Sequence, residues 1–364
     1  MHQLCNEINI IGTQKSDDSD SNCEVSAFML YMQEKRGQAC HVKNAMPLSA
    51  YSSIYPNIKV CTNWESFNDG NDENDGNEKD VVEYTCMYSS SLVIWPEIWT
   101  NLMDGLKGNH QNSIWWLSVN NNSGKFQQWD RKDILHLYQS EYAKCHIVQH
   151  LQKAKCGVAD NDIDNDDQDN DNWKTKRVLP ITEYIPQRHS HSPNPNTKQL
   201  KELPRDQDRD LEILYNPLKG IHYTDAIRNR SDKKFQFTPI GGSGEKRLSP
   251  AQVTQLLHRA KVYMDFGPHP GMDRLPREAA MADCIVITNR EGAAFYKEDV
   301  PIPSLYKIGD FDAERIHGLL KKSVEGYEEK KADFDSYREW IAGQKVEMES
   351  CVKGLINIVV TERL

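Results

Sequence analysis

Three short stretches carry residue types suited to a diphosphate: residues 215–220 (YNPLKG), 239–244 (PIGGSG) and 265–278 (DFGPHPGMDRLPRE). Lys219 offers a compact positive charge and Arg274 a planar fork that grips two phosphate oxygens at once. Gly241, Gly242 and Gly271 leave room for close approach of the backbone. Glu278 can accept hydrogen bonds from the two hydroxyls of a ribose. His269, set between two prolines, has a stiff backbone that can present an imidazole. Each group has a plainer reading as a solvated charge, a turn glycine or a surface histidine. The three stretches matter because of where they fall.

Each follows a predicted strand. Residues 211–215 (LEILY) and 234–240 (KFQFTPI) read as strands, and 261–288 reads as strand, charged Gly/Pro loop, helix opening near Pro276 and second strand. In a parallel sheet such loops gather at the carboxyl edge, where ligands bind. A loop feeding a helix there adds unpaired N–H groups and the positive end of the helix dipole. Residues 249–260 read as a helix with Ser249 at the N-cap and Pro250 behind it. The end of the chain reads as charged helices over 313–324 and 332–356.

The first half shows the same alternation in weaker form. Strands are predicted at 9–12, 39–42, 58–62, 93–95, 113–119, 134–137 and 178–181, with 113–119 (SIWWLSV) the best central strand. Helices are predicted at 24–36, after Pro96, and at 140–152. Trp95, Trp99, Trp115 and Trp116 serve either as core or as stacking platforms for sugars.

The 364 residues suit two domains. A net charge of −10 argues against a general nucleic-acid binder, which needs clustered cations. Much of the acid sits in two runs, 68–80 and 160–172, which cannot bury enough apolar surface to fold and read as disordered insertions. The second run lacks the Gly and Glu register of an EF-hand. No stretch nears the roughly 20 apolar residues of a membrane span, so a soluble, cytoplasmic protein is expected. Nine scattered Cys without a CxxC pair favour reduced thiols and argue against a zinc site.

The run GPHPGMDRLPREAAMADCIVITNREGAA resembles the nucleotide-binding half of GT-B fold glycosyltransferases. LYNPLKG resembles the first strand and phosphate-side loop of that half, which adds Tyr215 and Asn216 to the donor-binding group. VIWPEIWTNLM, IWWLSV and LHLYQSEYAKCHI resemble segments of a group of glycosyltransferase-like proteins that share the PGMDRLPREAA run. The likeness covers roughly 81–157 and 211–307.

It implies an α/β fold of two Rossmann-like parallel-sheet domains facing each other across a cleft. The expected division is an acceptor-side domain over 1–185, a linker over 186–210, a nucleotide-sugar domain over 211–345, and a C-terminal helix over 346–364 packing back on the first domain. It implies transfer of a sugar from a nucleotide donor to a carbohydrate or glycoconjugate acceptor, with no metal and no cofactor beyond the donor. Lys219, Gly241, Gly242, Gly271 and Arg274 would hold the diphosphate and Glu278 the ribose. The first acid of the family motif falls at Pro270, and Asp273 stands in its place. Glu97, His136 and His269 are the candidate bases of an inverting reaction. A silent sugar- or nucleotide-binding scaffold and a sugar-nucleotide epimerase remain as alternatives. A dinucleotide oxidoreductase is weak, because the first half has no G-x-G-x-x-G after a strand. No transmembrane segment is expected, although a soluble enzyme can meet lipid-linked acceptors at a membrane surface.

Overall fold

The computed structural model describes residues 26–28, 84–85, 91–107, 110–122, 126–152, 176–185, 209–230, 235–242 and 248–361. The predicted strands at 9–12, 39–42 and 58–62, both acidic runs and most of the 186–210 stretch lie outside these residues. The chain divides into two compact units. The first comprises Met1–Gln139, Ala143–Glu183 and Val346–Leu364, and the second Ser140–Tyr142 and Tyr184–Lys345.

The first unit is built on strands β1 (Ser26–Phe28), β3 (Ser91–Pro96), β5 (His110–Trp116), β6 (Ile134–Tyr138) and β7 (Val178–Pro180), all parallel and lying in chain order. A second parallel pair joins β2 (Tyr84–Thr85) to β4 (Leu106–Lys107). Helix α1 (Val119–Asn122) follows β5 and α2 (Glu141–Gln152) follows β6. The apolar run of β5 becomes the middle strand as expected. Its position is buried on both faces, so Ile114, Trp115 and Trp116 are at most 1% exposed.

Three expectations fail here. Residues 26–28 fall inside the predicted 24–36 helix but form β1, because pairing with Ser91–Val93 supplies backbone partners that the helical spacing of Val25, Phe28 and Met29 does not anticipate. The helix expected after Pro96 is a 3-10 helix, Glu97–Gly105. Nor are the thiols all reduced, because Cys145 is disulfide-bonded while Cys284 and Cys351 are free. Three indoles of the first unit are buried and paired. Trp95 donates to Asn112 Oδ1 at 2.8 Å, Trp115 to the Ile181 carbonyl at 3.3 Å and Trp116 to His136 Nδ1 at 3.1 Å. These three rings are core.

The second unit holds β8 (Leu211–Tyr215), α3 (Ile221–Arg230), β9 (Phe237–Pro239), α4 (Pro250–Arg259), β10 (Ala260–Asp265), α5 (Arg274–Met281), β11 (Ile285–Asn289), β12 (Lys307–Ile308), α6 (Ala313–Glu325), α7 (Tyr327–Lys330) and the start of α8 (Asp335–Thr361), whose residues from Val346 on belong to the first unit. Ser249 caps α4 with a full capping box, its hydroxyl accepting from Gln252 N while the Gln252 side chain accepts from Ser249 N. The sheet order is β12-β11-β10-β8-β9, parallel throughout. The chain therefore runs outward from β8 to β9, returns across β8 to β10, and continues outward on the other side. The loops after β8 and β10 diverge at that reversal, which is where open α/β sheets bind ligands.

Buried β10 and β11 make the core continuous on both faces. Val262, Tyr263, Ile285, Val286 and Ile287 have no measurable exposure, and α4, α5 and α6 contribute Leu257, Ala279, Ala280, Ile316 and Leu320 to the same cluster. Among the described residues, no helix is long and apolar enough to cross a membrane.

Candidate functional site

The loop after β8 is shaped by its own sequence. Asn216 Oδ1 accepts from Leu218 N at 3.0 Å, a side-chain turn that leads directly into Lys219. Gly220 then adopts φ +52° and passes so close to the loop after β10 that a Cβ would lie 1.8 Å from the Phe266 carbonyl oxygen. Only glycine fits that crossing. At the neighbouring edge, the Ile240 N–H donates to the Tyr215 carbonyl at 2.8 Å, and Gly241 turns away with φ +69°.

Across the reversal, Lys219 Nζ donates to Asp273 Oδ2 at 2.5 Å. His269 Nδ1 lies 2.8 Å from the same oxygen, and its Nε2 lies 3.3 Å from the Asp265 carbonyl. The His269 carbonyl in turn accepts from Ala293 N at 2.8 Å. His269 is thus fixed at three atoms and is 1% exposed. Lys219 and Asp273 keep 25% and 23% of their side-chain surface, so the pair is reachable and its support is not.

Burial alone would raise the Asp273 pKa. The bond from His269 and the Lys219 charge outweigh it and hold Asp273 below the ordinary carboxylate value. Asp265, 1% exposed at the end of β10, goes the other way. Burial raises its pKa more than the nearby positive groups lower it. Its Oδ2 accepts from Tyr263 Oη at 2.9 Å, while its Oδ1 has no partner among the described residues.

Asp273 is also the N-cap of α5, but its side chain makes no capping bond. The carboxylate faces Lys219 and His269 instead, leaving the first N–H groups of α5 unserved by their cap residue. One turn on, Arg274 and Glu278 pair at 3.1 Å with side chains 51% and 18% exposed. Their neighbour Arg277 is wholly buried and donates to the Asp273 and Met272 carbonyls and to Gln344 Oε1. It holds the loop rather than a ligand. Gly271 is buried in the same loop.

The ligand atoms of Asp265, His269 and Asp273 all lie within 4.8 Å of one another, the spacing of a cation site. The Lys219 ammonium already supplies a positive charge to the Asp273 oxygen there. Asp265 was missed in the sequence as a member of this cluster. The available signal was a lone acid closing an apolar strand.

The remaining candidates sit in the first unit. Glu97 is 4% exposed and follows β3, with Oε2 accepting from Leu117 N at 3.4 Å. Burial raises its pKa against the lowering effect of backbone hydrogen bonds. His136 is 1% exposed, with burial pushing its pKa down to about 3. It stacks on Trp129 at 5.5 Å. Tyr215, in the second unit, is buried beneath the Arg228 guanidinium, 5.7 Å from the ring centre. Lys219, His269 and Asp273 therefore form one cluster, Arg274 and Glu278 a second pair beside it, and Glu97 and His136 belong to neither.

No family model and no curated protein matches the chain. Solved structures do. The apo structure of OtsA aligns with TM-score 0.50 and 10% identity over 74% of this chain and 73% of that one. Sucrose-phosphate synthase from Thermosynechococcus elongatus aligns at 0.48 and 12%, covering 76% and 74%. WaaG, a glycosyltransferase involved in lipopolysaccharide biosynthesis, aligns at 0.41 and 12%, covering 76% and 79%. Together with the two parallel sheets, the OtsA likeness defines a GT-B glycosyltransferase-like fold of two Rossmann-like domains.

Proposed function

We propose that this chain transfers a glycosyl group from a nucleotide-activated sugar to a carbohydrate or glycoconjugate hydroxyl, without an essential metal. The observation that carries the reading is Lys219, held by Asp273 and His269 at the strand-order reversal of the second unit, beside the N-terminus of α5. In the transfer, the acceptor oxygen bonds to the anomeric carbon as the bond from that carbon to the diphosphate breaks. The electron pair departs with the diphosphate, and Lys219, Arg274 and the α5 N–H groups stabilise the new charge. Tyr215, Asn216, Gly241, Gly242 and Gly271 shape the donor loops, and Glu278 takes the ribose. Asp273 and His269 position Lys219.

In an inverting reaction the acceptor proton passes to a general base, for which a carboxylate or an imidazole is the suitable residue type. Fold likeness to glycosyltransferases supports the class of reaction, and the charged loops support the donor side.

The test is turnover with a panel of UDP-, GDP-, ADP- and dTDP-sugars, with and without chelator. Lys219→Ala should cut kcat by roughly 100–1,000-fold, the scale of losing one preorganised charge-stabilising group, with an unchanged melting transition. Chelator should leave turnover intact. Full turnover in Lys219→Ala removes the site assignment. Binding without turnover in the parent points to a scaffold, and interconversion of the donor without an acceptor to an epimerase.

A further inference from the structure

A cavity of about 390 Å³ opens along α6, and none of its lining residues belongs to the loops that carry Lys219 and Asp273. We propose that this cavity binds a phosphate monoester with a small apolar body. The proposal does not depend on the reaction assigned above. The volume lies within the range of small-molecule sites, about 300–1,000 Å³.

Positions 315, 319 and 322 follow helical spacing, so one face of α6 forms the cavity wall. That face is polar where a phosphate would sit. Arg315 and Lys322 line it, and neither forms an ion pair among the described residues, whereas the third cation, Lys330, is neutralised by Glu329 at 2.9 Å. Two uncompensated cations match a phosphate dianion, and the Arg fork suits its paired oxygens. Ser323 points the same way. It is 1% exposed, lines the cavity, and its Oγ has no hydrogen-bond partner among the described residues. Buried hydroxyls are rarely left so, because an unmade bond is unfavourable.

The other wall is apolar. Tyr306 and Leu319 are buried, while Leu305 is 52% exposed, an apolar side chain that a ligand body would cover. Gly318 also lines the cavity, and a Cβ placed there meets nothing within 4 Å, so a longer side chain has room to enter. In a chain of net charge −10, a cavity with two unpaired cations runs against the general sign of the molecule.

Phenyl phosphate is the probe, titrated calorimetrically into the full chain, with phenol and inorganic phosphate alongside. Phenyl phosphate should bind one site more tightly than inorganic phosphate, and phenol should not bind. Gly318→Met sets a long apolar side chain at a lining position where a Cβ meets nothing within 4 Å and Lys322→Glu reverses the charge, and each should weaken binding by at least about tenfold. Lys219→Ala should leave the affinity unchanged. Both α6 variants should melt no lower than the parent, which keeps misfolding from imitating the result. Equal affinity in both α6 variants, loss of binding in Lys219→Ala, or no binding of phenyl phosphate would each overturn the proposal. Sedimentation with phosphatidylcholine vesicles doped with phosphatidic acid separates the sources. Pelleting that Gly318→Met abolishes keeps the site and makes its ester a lipid headgroup. Pelleting that Gly318→Met leaves intact, without phenyl phosphate binding, shows only surface charge and defeats the idea.

Discussion

The two sheets are both parallel, yet they treat their carboxyl edges differently. In the first unit the described strands lie in chain order, so no two successive loops are forced apart. The residues beside β5 and β6 are filled by stacked rings. Trp129 stacks on Trp116 at 5.2 Å and on His150 at 4.4 Å, with Phe126 edge-on at 4.9 Å. In the second unit the reversal between β8 and β10 separates two loops, and the gap holds Lys219, His269 and Asp273. Strand order, not strand composition, decides which edge can gather charge.

That contrast is open to attack at several points, and the largest effect belongs to the crossing that builds the reversal. Gly220→Val places a branched side chain at φ +52° and against the Phe266 carbonyl. It should lower the stability of the second unit by about 3 kcal/mol, seen in urea denaturation as a shift of one of two transitions. An equal shift of both would mean that the units do not unfold separately.

A pH titration sharpens the contrast from the other side. Burial lowers His136 to about 3, and burial followed by the His150 charge lowers His146 to about 4. Both folded values lie below the unfolded value of 6.5. These rings therefore add stability at pH above 6.5 that is lost as pH falls towards 4 and then 3. For the fully buried His136 the loss should be on the order of a few kcal/mol. Asp299 in the second unit has the opposite sign. Burial raises it to about 6, so its contribution is present below 3.8 and is lost as pH rises through 6. A urea midpoint of the first unit that stays flat between pH 6.5 and 4 would show that the stack tolerates imidazolium.

The smallest effect tests the scaffold alone. Ser249→Ala removes the hydroxyl of the α4 capping box and should cost about 1 kcal/mol, read as a small drop in the second transition with donor turnover unchanged.

The second unit was the more legible in the sequence because its strands are buried on both faces and read as unbroken apolar runs, as in residues 285–289 (IVITN). The α4 start was equally plain, since Ser249, Pro250 and Gln252 are local signals. Helix α3 was invisible, because IHYTDAIRNR has no apolar stripe and is preceded by Gly220 rather than by a Ser, Thr, Asp or Asn cap. Residues 26–28 misled because Phe28 and its neighbours fit a helical spacing, while their partner strand lies more than 60 positions away. The site was legible as loops but not as bonds. Nothing in the sequence says that Asp273 faces Lys219 across 54 positions instead of capping its own helix, or that Arg277 is buried while Arg274 is exposed.

Helix α8 carries a consequence for the order of synthesis. It starts in the second unit, and its last part, from Val346 on, belongs to the first. Met348, Val352, Leu355 and Ile356 are each at most 2% exposed. The first unit thus takes part of its core from a segment that follows the whole of the second unit in the chain. Domains commonly fold as units, N-terminal first. In this chain the second unit is complete in sequence at Lys345, before the last segment of the first unit begins.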